Sequence, residues 1–205
     1  MTWPERFDSL SAWLAANSNV GITQLIACAP AQQPSLLQFP SLQQLPGLQC
    51  LHCDGLTVTA ALSGSNSSEA GAAAAAQAAH AAASMPLELF PATALTALLL
   101  ERCRVQLLGL SAPTRLQRLS VGAPIYCLPD SVTSNLRTQL QQALPQLQAL
   151  TFLRLFGKVA HDDVLQHVSS LPRLQDLTLM DGMFTLASFQ QLPHLGQSVS
   201  GCLAV

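Results

Sequence analysis

Charge is scarce in this chain. Only 10% of its residues are Asp, Glu, Lys or Arg, against about 25% in an ordinary globular domain, and Lys158 is the single lysine. The basic residues are scattered and the formal net charge is −2. A phosphate backbone needs a clustered basic stripe, so nucleic acid is excluded as a partner. Long uncharged apolar runs are missing too. The most apolar window, residues 92–110, is broken by Glu101, Arg102 and Arg104, short of the roughly 18–20 residues that span a bilayer. Glu5, Arg6 and Asp8 stand where a secretory signal would carry its apolar run. These absences predict an intracellular, cytoplasmic chain with no membrane partner. Neither Gly-x-x-x-x-Gly-Lys-Ser/Thr nor Gly-x-Gly-x-x-Gly occurs, so nucleotide binding has no support.

What is present is leucine, at regular spacing. The 205 residues, 49% hydrophobic with a mean hydropathy of +0.33, suit one domain over 1–205. One phrase recurs: Leu45-Pro-Gly-Leu48-Gln-Cys-Leu51-His-Cys53, Leu144-Pro-Gln-Leu147-Gln-Ala-Leu150-Thr-Phe152, and Leu171-Pro-Arg-Leu174-Gln-Asp-Leu177-Thr-Leu179. Leu95-Thr-Ala-Leu98-Leu-Leu100 and Leu116-Gln-Arg-Leu119-Ser-Val121 carry it without the opening Leu-Pro, and residues 22–27 are a weaker copy. Leu192-Pro-His-Leu195 begins the phrase and loses it at Ser198. Anchoring on Leu25, Leu51, Leu98, Leu119, Leu150 and Leu177 gives steps of 26, 47, 21, 31 and 27 residues. The long step contains a Ser/Gly/Ala-rich insertion at 63–84, whose alanines favour helix but offer no side large enough to dock.

In Leu-x-Leu both leucines point to one side of a short strand. One strand cannot bury them alone, whereas stacked copies can. Connecting segments supply the cover. Residues 131–143 place Val132, Leu136 and Leu140 four apart, and 163–171 place Val164, Val168 and Leu171 on one helix face. Residues 1–20 read as an N-terminal capping helix, with Phe7, Leu10 and Leu14 along one side and Trp3 beside them. Residues 201–205 would cover the other end only weakly.

The phrase Leu-x-x-Leu-x-Leu, with Cys103 and then Val105 at the positions that follow Leu95–Leu100, resembles the leucine-rich-repeat family. That resemblance implies an α/β solenoid with short parallel strands on a concave face and helices or turns on the convex face. It also implies a protein-interaction module rather than an enzyme, its partner an unidentified protein held on the concave face. The register assigns to that face His52, Asp54, Leu99, Glu101, Arg102, Arg118, Ser120, Thr151, Leu153, Arg154, Asp176, Thr178, Met180 and Asp181. Leu99, Leu153 and Met180 would be its exposed apolar groups, and Arg154 and Asp181 would pair on neighbouring strands. A helical segment at Leu10–Leu14 ahead of irregular repeats is similar to plant and algal F-box leucine-rich-repeat proteins, although the F-box motif is not among these residues. Substrate recognition for a ubiquitin ligase is therefore a second expectation. A structural role in the cytoskeleton or ciliary axoneme, where some family members sit, is a third.

Three motifs suggest chemistry and are better explained otherwise. Cys50-Leu-His-Cys53 has metal or redox spacing, but residues three apart on a strand face opposite ways, so one thiol faces the core and cannot share an ion. The six cysteines suit reduced thiols. His161-Asp-Asp163 with His167 evokes a metal hydrolase, yet Asp162 and Asp163 sit where a helix begins and would cap its free amides. Gly196-Gln-Ser-Val-Ser-Gly201 lacks the fifth-position glycine of a nucleophile elbow. The sequence predicts no cofactor, no metal and no small-molecule substrate.

Overall fold

The structure, a computed structural model, describes residues 21–28, 35–39, 42, 45–60, 87–90, 92–122, 130–185, 187–188 and 199–202. The capping helix expected at 1–20 and the insertion at 63–84 lie outside them.

The Leu-x-Leu segments are strands, and all of them run parallel. In chain order the strands are β1 (Gln24–Cys28), β2 (Ser35–Phe39), β3 (Cys50–Asp54), β4 (Leu56–Ala60), β5 (Leu87–Glu88), β6 (Ala97–Glu101), β7 (Arg104–Val105), β8 (Leu107–Leu108), β9 (Arg118–Gly122), β10 (Phe152–Phe156), β11 (Asp176–Met180) and β12 (Val199–Cys202). Helix α1 (Asp130–Ala143) lies between β9 and β10, and α2 (Asp162–Val168) between β10 and β11. Seven strands form the main sheet in the order β1-β3-β6-β9-β10-β11-β12, so its order follows the chain. The connecting segments build two smaller parallel sheets, β2-β4-β7 and β5-β8. This is an α/β architecture of repeated parallel strands with few helices.

One backbone device repeats before five of the main-sheet strands, β3, β6, β9, β10 and β11. A tight turn comes first, with Leu48 N–H donating to Leu45 C=O, Leu95 to Ala92, Leu116 to Pro113, Leu150 to Leu147 and Leu174 to Leu171. Two successive amides then share one carbonyl of the preceding repeat. Gln49 and Cys50 donate to Thr23, Thr96 and Ala97 to Gln49, Gln117 and Arg118 to Thr96, Thr151 and Phe152 to Gln117, and Gln175 and Asp176 to Thr151. Each repeat thus satisfies the backbone of its neighbour, which is why one unit cannot stand alone. The strands exit through left-handed residues: Gly55 (φ 69), Arg102 (φ 55), Gly157 (φ 57) and Asp181 (φ 53) follow β3, β6, β10 and β11.

Burial alternates along β1, β3, β6, β10 and β11, and the inward leucines form one core. Leu51, Leu98, Leu119, Leu153 and Leu177 are fully covered, as are Leu155 and Leu179. Burying each contributes about 2 kcal/mol. Cys103 occupies the predicted turn position, its buried thiol donating to the carbonyls of Cys53 (3.1 Å) and Glu101 (3.3 Å). Val132, Leu136 and Leu140 of α1 and Val164 and Val168 of α2 face the core as their spacing predicts. The polar side of α1 is used too. Asn135 and Gln139 side chains accept from the amides of Leu107 and Gly109, satisfying the edge of β8.

The tertiary structure corrects the register at β10. Leu153, not Leu150, pairs with Leu119 on one side and Leu177 on the other. The stretch 144–155 holds two overlapping leucine frames. Helix α1 continues through Ala143 into a tight helical turn at Leu144–Gln146, which absorbs the Leu-Pro and moves the strand three residues onward. Near the end, the phrase broken at Ser198 still yields β12, with Val199 in register with Leu177.

Candidate functional site: the open face of the main sheet

The residues between the inward leucines form a face in three rows. The first is Gln24, Cys50, Ala97, Arg118, Phe152 and Asp176; the second is Ile26, His52, Leu99, Ser120, Arg154 and Thr178; the third is Cys28, Asp54, Glu101, Gly122, Phe156 and Met180. Most of the expected face residues stand here: His52, Asp54, Leu99, Glu101, Arg118, Asp176, Thr178 and Met180. Arg102 and Asp181 lie directly past the strand ends.

Four expectations fail, each for a local reason. Leu153 is wholly buried in the core, because the β10 register is three residues later than the spacing suggested. Thr151 lies in the turn before the strand, where its hydroxyl donates to Gln117 C=O at 3.1 Å. Arg154 sits in the middle row opposite Thr178 and meets Glu101 at 3.4 Å rather than Asp181. Ser120 belongs to the face by register yet is fully covered, its hydroxyl donating to Glu101 Oε1 at 2.9 Å. Phe152 and Phe156 were missed. The alternative frame Leu147-x-x-Leu150-x-x-Leu153-x-Leu155 was the signal for them.

Charge on the face is organised around those two rings. The Arg118 guanidinium lies 5.1 Å from the Phe152 centroid and that of Arg154 5.0 Å from Phe156, a favourable placement of a cation on a ring. Arg154 Nε is buried with no hydrogen-bond partner among the described residues. Arg102 donates through both Nε and Nη2 to the Asp54 carboxylate, and that bond raises the Arg102 pKa, locking in its charge. Gly122 is required here. Its φ is +120, and a Cβ would come 2.5 Å from the Phe156 carbonyl oxygen.

The motifs with chemical spacing resolve as structure. Cys53 is buried and Cys50 half-buried; desolvation raises both thiols, Cys53 strongly, and pushes Cys103 up to about 11. No group of three His, Cys, Asp or Glu side chains that could hold a metal occurs among the described residues. At α2 the capping expectation is corrected. The imidazole of His161, not a carboxylate, accepts from Asp163 N–H. Asp162 instead accepts from Thr185 N–H (2.8 Å) and Ser188 O–H (2.5 Å), tying down the 185–188 turn. Asp163 pairs with Arg137 of α1 at 2.7 Å.

No protein-family model matches the chain, and no curated protein matches it in sequence. Among solved structures, internalin C2 of Listeria monocytogenes is similar over 91% of this chain and 83% of that one, at 21% identity and a TM-score of 0.38. A likeness that loose fixes neither fold nor function. Among the described residues no helix is long and apolar enough to cross a membrane.

Proposed function

We propose that this chain is a protein-interaction module, a leucine-rich-repeat solenoid whose open, concave face binds another protein without catalysing a reaction. One observation carries the reading. Leu99, Phe152, Phe156 and Met180 stand half-exposed on a rigid parallel sheet, among arginines held in place by rings and carboxylates. Interfaces favour this mixture of aromatic, Met and Arg groups at their centres. The sheet's mutual hydrogen bonds hold the groups in fixed positions, which lowers the entropy cost of association. No feature of the face favours the ubiquitin-ligase or ciliary readings over this one.

The test is capture of partners by the tagged protein, repeated with Leu99, Arg102 and Met180 each changed to Ala or Glu. Substitutions at the centre of an interface cost about 1–4 kcal/mol, so captured protein should fall sharply while the thermal melt stays unchanged. Capture unaffected by all three changes would refute the assignment of the face.

A further inference from the structure

We infer that the open face binds the same face of a second copy of this chain. This deepens the reading of the face as a protein-binding surface and rests on it. The observation is the first row across β9, β10 and β11, which reads Arg118, Phe152, Asp176 in strict register. Arg102, Arg154 and Arg137 each have a carboxylate. Among the described residues Arg118 has no ion-pair partner and rests on the Phe152 ring, and Asp176 has no cation. A positive and a negative group thus stand one strand, about 4.8 Å, to either side of a ring.

That order is complementary to itself. Let a two-fold axis run parallel to the strands above β10. Arg118 of one copy then faces Asp176 of the other, Asp176 faces Arg118, and Phe152 meets Phe152 on the axis. In the third row Phe156 meets itself, and Met180 comes opposite Gly122, which lies buried beneath Phe156. Arg154 also meets itself, as half of its ion pair with Glu101 and laid on Phe156. An isologous contact of this kind makes every off-axis interaction twice, the Arg118–Asp176 pair included. With the axis above β10, five of the seven strands overlap, β10 on itself, β9 on β11 and β6 on β12, a footprint on the order of 400 Å². Stable interfaces bury about 800 Å² per partner, so the dimer is weak and reversible, with dissociation in the micromolar range.

Sedimentation equilibrium of the full chain across micromolar concentrations tests it. The expected result is a monomer–dimer equilibrium that Arg118→Asp or Asp176→Arg alone weakens at least about tenfold, since each places two like-charge pairs across the axis. The double variant Arg118→Asp/Asp176→Arg should restore it. Where a reversal prevents folding, Arg118→Gln and Asp176→Asn must each still loosen the dimer. A chain that stays monomeric, single variants that dimerise unchanged, or a double variant that fails to recover overturns the inference. A monomer whose partner capture is still lost on changing Leu99, Arg102 or Met180 would leave the proposed function standing and remove only the self-pairing.

Discussion

At the scale of single residues, backbone conformation and thiol burial decide which positions tolerate change. Gly122 combines a positive φ with a carbonyl where a Cβ would go, so Gly122→Ala should cost about 2 kcal/mol or more. At Gly55, whose φ of 69 is the ordinary left-handed region, alanine should cost only about 1 kcal/mol. Paired urea titrations would show the difference; equal costs would mean that Phe156 yields easily. The cysteines should separate just as clearly. Cys28 is exposed, whereas Cys53 and Cys103 are buried with raised thiol pKa values, and only a thiolate attacks an alkylating reagent. Brief maleimide labelling at neutral pH should mark Cys28 and spare the other two, as read by peptide mass spectrometry.

At the scale of elements, α2 and the 185–188 turn are joined through one carboxylate. The Ser188 hydroxyl and then the Thr185 amide hold the Asp162 pKa below its ordinary value. A depressed native pKa means stabilisation that is fully present above the unfolded value, about 3.9. It is lost as pH falls through the lower native one. Thr185 amide exchange should therefore stay protected from neutral pH down to about pH 4 and speed up beyond it relative to the amides of α2. Asp162→Asn should flatten that dependence. Protection that follows pH identically in both proteins would show that the carboxylate does not hold the turn. The elements themselves were legible wherever apolar spacing had one solution, as in α1 and α2. Which side chains join them was not, because Asp162 and Asp163 are equally good caps in sequence and only the packed neighbours Thr185, Ser188 and Arg137 assign them.

At the scale of the whole molecule, a stack of units that satisfy one another is weakest where a neighbour is missing. Leu153 is enclosed by β9 and β11, whereas Leu25 of β1 has a described neighbour on one side only, β3. Leu153→Ala should cost about 3–5 kcal/mol and Leu25→Ala nearer 2 kcal/mol, by denaturant melts. The reverse order would mean that stability is not shared between adjacent units in this way.

The sequence by itself determined the main-sheet strands, their parallel stacking and most of the inward leucines, because Leu-x-x-Leu-x-Leu cannot bury those side chains in one strand alone. The connecting strands β2, β4, β5, β7 and β8 stand where only helices or turns were expected. Only the tertiary structure decided the frame at 144–156. There two leucine registers compete, and the length of α1 selects between them. That choice sends Leu153 into the core and brings Phe152, Arg154 and Phe156 to the face. A three-residue shift exchanges inside for outside because alternate residues of a strand point opposite ways.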